Sequence, residues 1–167
     1  FVSKFFEHTM WMAGAMDRMG DNQDEMWDEG DGFFYDVLRL PNGEAMRLKV
    51  RSMVGLLPLA AVAIFEEDVV ERLPTFRKRA REFIDRHPQL TANLHMPSTP
   101  GAEKRRMVAI VNEEKLRRIL QRMLDENEFY GPHGIRSLSR VHLAEPFVLN
   151  YAGQEFRVGY LPGDSDS

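Results

Sequence analysis

The densest concentration of groups able to do chemistry is the run Trp27, Asp28, Glu29, Gly30, Asp31, Gly32, Phe33, Phe34, Tyr35 and Asp36. An aromatic face stacks on the apolar face of a sugar ring, and a carboxylate accepts paired hydrogen bonds from vicinal hydroxyls. That mixture, set among glycines, therefore describes a carbohydrate surface. The same residues also read as a strand whose Phe33, Phe34 and Tyr35 pack a hairpin beside a solvated acidic loop. A calcium loop does not fit, because no Asp-x-Asp/Asn-x-Asp/Asn-Gly register closed by a glutamate can be laid over residues 21–36. His8, His87, His95, His133 and His142 contain no His-x-x-x-His pair, and the chain has no cysteine, so neither a metal site nor a cofactor is expected. Lys78, Arg79, Arg81 and Arg86, with Arg72, read as a solvated basic helix face.

These residues must be positioned by the elements around them. Val2, Phe5, Phe6, Met10, Ala13 and Met16 fall at helical spacing within residues 2–19, and Trp11, Met12 and Ala15 widen the stripe, predicting a helix that packs on two sides. An acidic connector, 21–31, leads to β-prone runs at 33–40 and 46–50 around Pro41-Asn42-Gly43-Glu44-Ala45, a hairpin signal. The apolar run 53–65 predicts a buried core helix. Its Pro58 is tolerated only in a first turn, which places the start near Leu56 or Leu57. A short further turn is expected over 66–72. Thr75 is placed to cap an amphipathic helix carrying Phe76, Ala80, Phe83 and Ile84, with Pro88 just past its end. Pro97, Pro100 and Gly101 make 89–106 an irregular loop before the β-prone 107–111. Asn112 is placed to cap a helix over 113–126 whose Leu116, Ile119, Leu120, Met123 and Leu124 share one face. Runs at 147–151 and 155–158 around Ala152-Gly153-Gln154 predict a second hairpin. The sum is a helical scaffold with loops and hairpins gathered at an end.

Composition narrows the function classes. With 167 residues the chain can bury a core without disulfide staples. Its 22 basic and 26 acidic residues leave a net charge of −4, with no Lys/Arg run long enough to make a strong field, so a nucleic-acid partner is not expected. The uninterrupted apolar run is too short for the roughly 20 residues that span a bilayer, so no membrane partner is expected either. The absence of cysteine fits a reducing compartment, and a cytoplasmic location is the expectation. The ten methionines read as soft core packing. Phe1 is not an initiator and residues 159–167 finish in turn-forming sequence, which leads to the expectation of a fragment cut at both ends.

Trp27-Asp28-Glu29, Gly32-Phe33-Phe34-Tyr35-Asp36, Arg51-Ser52 and Pro58-Leu59 resemble a block of the (α/α)6-barrel glycosidases, most of all the bacterial proteins of the glycoside hydrolase family 63 type. That type includes mannosylglycerate hydrolase and α-glucosidase-like enzymes. Gly131-Pro132-His133-Gly134-Ile135-Arg136-Ser137-Leu138-Ser139 and Tyr160-Leu161-Pro162-Gly163-Asp164-Ser165-Asp166 are similar to a later block of the same proteins. The likeness covers most of 27–166, but no motif matches over 75–106.

The resemblance implies a mainly α fold, part of an (α/α)6 toroid with small β-hairpins inserted between helices, and residues 1–167 as a single segment of a larger catalytic domain. It implies an inverting hydrolase of α-glycosidic bonds in glucosides or mannosylglycerate-like substrates, whose acid and base stand roughly 6.5 to 9.5 Å apart around a water. Neither carboxylate is expected within this segment. The implied substrate-binding residues are Trp27, Tyr35, Asp36 and Arg51 and, on loops at the same end, Arg136, Asp164 and Asp166, with Ser137 beside them. For Asp36 a role in orienting another residue stands beside the contact role. A toroid segment would expose apolar helix faces, implying self-association or a partner chain. The alternative is a noncatalytic carbohydrate-binding protein or a helical interaction domain whose aromatic cluster is core.

Overall fold

A computed structural model describes residues 2–17, 25–66, 68, 71–91, 95 and 101–163. The chain divides into two compact units, the first formed by Phe1–Trp27 and Pro58–Leu116 and the second by Asp28–Leu57 and Arg117–Ser167.

In the first unit, helix α1 (Val2–Asp17) packs against α2 (Pro74–Arg86) and the single turn α3 (Pro88–Thr91). Aromatic edges build this contact: Phe6 meets Phe76 and Phe83 at centroid distances of 5.7 and 6.3 Å, and Trp11 meets Phe83 at 6.2 Å. Met10, Ala13 and Phe83 are buried, whereas Trp11 and Met12 stand about half exposed, so the stripe on α1 buries one side and not the two expected. Thr75 is not the cap of α2. Pro74 occupies the first turn, where its missing N–H costs nothing, and Leu73 at the cap position makes no side-chain bond.

The larger departure lies in residues 53–65. A 3-10 helix, Met53–Ala60, is followed by an extended strand. Pro58 has no N–H to continue an α-helix, and the β-branched Val62 and Ile64 favour extended backbone. Strand β5 (Val62–Glu66) pairs antiparallel with β6 (Arg105–Ala109), placing Val62 opposite Ala109 and Ile64 opposite Met107. β6 therefore starts inside the stretch expected to be loop, part of which is α3, and Ala109 further bridges His95. Leu56 and Gly55 are buried, but Met53, Val54, Leu57, Val62 and Ile64 are exposed, so this run is not the buried core helix expected.

In the second unit, Gly32 at φ +62° closes a tight turn in which its N–H donates to the Asp28 carbonyl, 2.8 Å. This turn joins β1 (Trp27–Asp28) to β2 (Phe33–Phe34), and β3 (Asp36–Arg39) pairs with β4 (Ala45–Leu48). The first predicted hairpin is thus split, its aromatic half serving the core. Helix α4 (Glu113–Met123), assigned to the first unit through Leu116 and to the second from Arg117, begins as expected, since the Asn112 side chain accepts the Lys115 N–H at 2.9 Å, and ends before the expected 126. There follow β7 (Tyr130–Gly131) with β8 (Gly134–Ile135), the short helix α5 (Val141–Ala144), and β9 (Phe147–Tyr151) with β10 (Gln154–Val158). Phe33 and Phe129 stack at 5.6 Å, both fully buried, with Ile119 likewise buried.

Among the described residues helix amounts to 42% and strand to 27%, the latter in five separate two-stranded antiparallel ribbons. The fold is mixed α and β. The mainly α fold, with part of an (α/α)6 toroid, is overturned, because the apolar run expected to supply a toroid helix is a 3-10 helix and a strand, and ribbons claim residues assigned to loops.

Candidate functional site

Two features of the second unit bear on function, a buried polar brace and a cavity beside it. The brace centres on Glu128, whose side chain is 9% exposed. Its Oε1 accepts from Arg51 at 3.1 Å and from Arg122 at 2.5 Å, while Ser139 Oγ donates to Oε2 at 3.2 Å. Arg51 Nε donates to the Tyr35 hydroxyl at 3.0 Å, and that hydroxyl donates to Asp31 at 3.0 Å. Arg122 also donates to the Asp31 carbonyl, 2.7 Å from Nε. A second group of charges, Arg47 and Lys49, holds Asp28 at 2.7 and 3.0 Å.

His142 joins the brace through its ring. Its Nε2 accepts the Arg51 backbone N–H at 2.9 Å, so Nδ1 carries the proton and donates to the Glu145 carbonyl at 3.0 Å. Ladder-like bonds then fasten the later chain: Ser137 and Ser139 bond the backbone at Met53 and Arg51, and the Tyr160 N–H donates to the His142 carbonyl at 3.1 Å.

The brace sets the titration of its members. Burial works against charge on Asp28, yet the Asp31 N–H together with Lys49 and Arg47 more than offsets it and holds the carboxyl at about 2. Asp31 is also lowered, against the desolvation it suffers, by hydrogen bonds from Lys49 and Tyr35. Burial, with Asp31 adding to it, raises Tyr35 above the usual phenol range despite the nearby Arg51. Because the folded Asp28 value lies below its unfolded 3.8, its stabilisation is complete above that pH and is lost as pH falls through about 2. Expected is a loss of about 1–2 kcal/mol between pH 4 and 2, read as a falling urea midpoint. Asp28→Asn should flatten that part of the profile; an unchanged slope in the variant contradicts the assignment.

The cavity has a volume of about 500 Å³ and is lined by residues 131–136 with Arg140, Leu143, Tyr160, Pro162 and Gly163. Two stretches more than 20 residues apart in sequence are thereby brought to one place. Gly134, at φ +126°, makes the tight Pro132-His133 turn possible. Arg136 is fixed where it lines the cavity, its Nη1 donating to the carbonyls of Glu126, Glu128 and Tyr130 at 3.0, 3.2 and 2.5 Å.

The residues expected to bind substrate are distributed unevenly. Arg136 lines the cavity, while Tyr35 and Arg51 belong to the brace, with Tyr35 only 3% exposed. Asp36 is exposed on β3, opposite Leu48. Trp27 belongs to the first unit, where it is buried and Lys115 Nζ lies 5.1 Å from its ring centroid. Ser137 is exposed and anchors backbone at Met53, and Asp164 and Asp166 lie outside the described residues. Sequence reasoning missed Glu128, Arg122, His142 and Arg140. No local motif marks the first three, whose partners lie up to 91 residues away, and Arg140 has no side-chain partner among the described residues. Among the described residues no group of three His, Asp or Glu side chains is placed to hold a metal ion, and no helix is long and apolar enough to cross a membrane.

No family model matches the chain, and no solved structure matches it. It is similar to the uncharacterized protein YMR196W of Saccharomyces cerevisiae, 38% identical over 178 aligned residues that cover 99% of this chain. The chain spans about 16% of that yeast protein's length.

Proposed function

We propose that the chain is part of a carbohydrate-active enzyme of the glycoside hydrolase family 63 type, an inverting hydrolase of α-glycosidic bonds in glucosides or mannosylglycerate-like substrates. The observation that carries this reading is the cavity, because its two walls are the two stretches, 131–136 and 160–163, whose sequences resemble one block of those enzymes. Its lining suits a sugar: Tyr160 offers a ring, Ile135 and Leu143 apolar surface, and His133 with the arginines polar groups. The brace supplies the rigidity that such a site needs, since Tyr160 hangs from His142 and His142 from Arg51. The segment holds part of a binding wall, and the acid and base belong to the longer protein. A cytoplasmic location and a carbohydrate partner are parts of the same proposal, as is association through exposed apolar side chains such as Phe5, Leu57 and Ile64.

Burial of Trp27 and Tyr35 favours a second reading, an interaction domain whose aromatics are core. Amide chemical shifts recorded while methyl α-glucoside is added separate the two. The hydrolase reading expects shifts confined to residues 131, 133–136, 140, 143, 160, 161 and 163. Shifts absent from these residues at saturating sugar would favour the interaction domain.

A further inference from the structure

The charge of the cavity lining is one-sided. Arg136 and Arg140 bring two guanidinium groups and His133 an imidazole, and among the described lining residues there is no Asp or Glu. Arg136 uses Nη1 on three backbone carbonyls, which holds its plane and leaves Nε and Nη2 without a hydrogen bond among the described residues. The side chains of Arg140 and His133 have no partner among the described residues. Four other arginines of this unit, Arg47, Arg51, Arg118 and Arg122, each meet a carboxylate. Gly131 and Gly134 leave bare backbone at the same wall. A Cβ at Gly131 would stand 3.1 Å from the Gly134 carbonyl oxygen, so glycine there fits the close pairing of β7 with β8 that forms this wall.

We propose that this cavity contains an oxyanion subsite, formed by Arg140 and Arg136 with His133, for the carboxylate or phosphate of a ring-sized ligand. The ring would lie against Tyr160, Ile135 and Leu143. A planar guanidinium pairs two N–H donors with two oxygens of either anion, and a second cation adds attraction without steric demand. The nature of the ring rests on the carbohydrate reading, whereas the anion subsite rests on the lining charge alone.

The test is calorimetric titration of the 167-residue chain with glucose, glucuronate, glucose 6-phosphate, acetate and inorganic phosphate. The charged sugars are expected to bind about tenfold or more tightly than glucose, an advantage that shrinks with added salt. Arg140→Gln should remove most of that advantage, with His133→Asn removing less, while Arg157→Gln on β10 leaves it intact. A preference for glucuronate identifies a carboxylate site and one for glucose 6-phosphate a phosphate site, and both support the proposal. Inorganic anions that bind in an Arg140-dependent way while no sugar binds would support the subsite and overturn the carbohydrate reading. Glucose bound as tightly as the charged sugars would overturn the subsite and leave the carbohydrate reading standing. Charged ligands that fail to bind, or that bind equally well to the Arg140→Gln variant, overturn the subsite.

Discussion

Replacing Gly55 with alanine is expected to destabilise the second unit by about 3 kcal/mol, a large effect for adding one methyl group. A Cβ at this position would stand 2.3 Å from Phe33 Cε1 and 2.4 Å from the Phe34 carbonyl oxygen. Neither neighbour can give way cheaply. Phe33 is fully buried and stacked on Phe129, and the Phe34 oxygen is backbone within β2. The methyl must therefore push the Met53–Ala60 helix away from β2 or drive Phe33 out of its rotamer. Urea unfolding measures the loss, and near-ultraviolet circular dichroism reports the displaced aromatic pair. A variant whose urea midpoint matches the parent would show that this close approach does not exist.

Glu128→Gln is expected to cost a similar amount, about 3 kcal/mol, by a different route. The carboxylate is the shared acceptor of Arg51 and Arg122, whose side chains are 19% and 23% exposed, and of the buried Ser139. A neutral amide keeps the volume but leaves two partly buried guanidinium groups without their countercharge, and its NH2 end faces a donor. Two further consequences follow from connectivity. Arg51 also holds Tyr35 and, through its backbone N–H, His142, so the loops leading to Tyr160 should loosen with it. Amide hydrogen exchange in Glu128→Gln should therefore quicken at 138–143 and 160 as well as near the substitution. Exchange that quickens only within residues 126–130 would mean that the brace does not hold the cavity wall.

What the sequence revealed follows from the range of the forces involved. Helix α4 and both hairpins at 36–48 and 147–158 were legible because their signals are local: Asn112 caps its own helix, Gly43 sits at φ +87°, and Ala152-Gly153 take positive φ in the turn. Local patterning had less to say where pairing partners are distant. The apolar run 53–65 is compatible with a buried helix or a strand, and the deciding interaction is its pairing with 105–109, reached by no hairpin turn. The brace was illegible for the same reason. Arg51 and Glu128 are 77 residues apart, and nothing beside Glu128 distinguishes it from the solvated acids around it. Of the candidate site, Arg136 and the 160–163 stretch were singled out from the sequence and now share one cavity. Tyr35, singled out as a contact for substrate, is instead engaged with Arg51 and Asp31.

The most direct test of the hydrolase reading uses a longer protein in which this segment has its natural neighbours. The full-length yeast relative, of which this chain matches about 16%, should be incubated with α-glucosides and with mannosylglycerate while proton NMR follows the anomeric signals of the released sugar. Hydrolysis that releases the β-anomer first, before mutarotation, is the predicted result, because water delivered opposite the leaving group inverts the anomeric centre. No hydrolysis of any of these α-glycosides by the folded protein, or initial release of the α-anomer, would contradict the account.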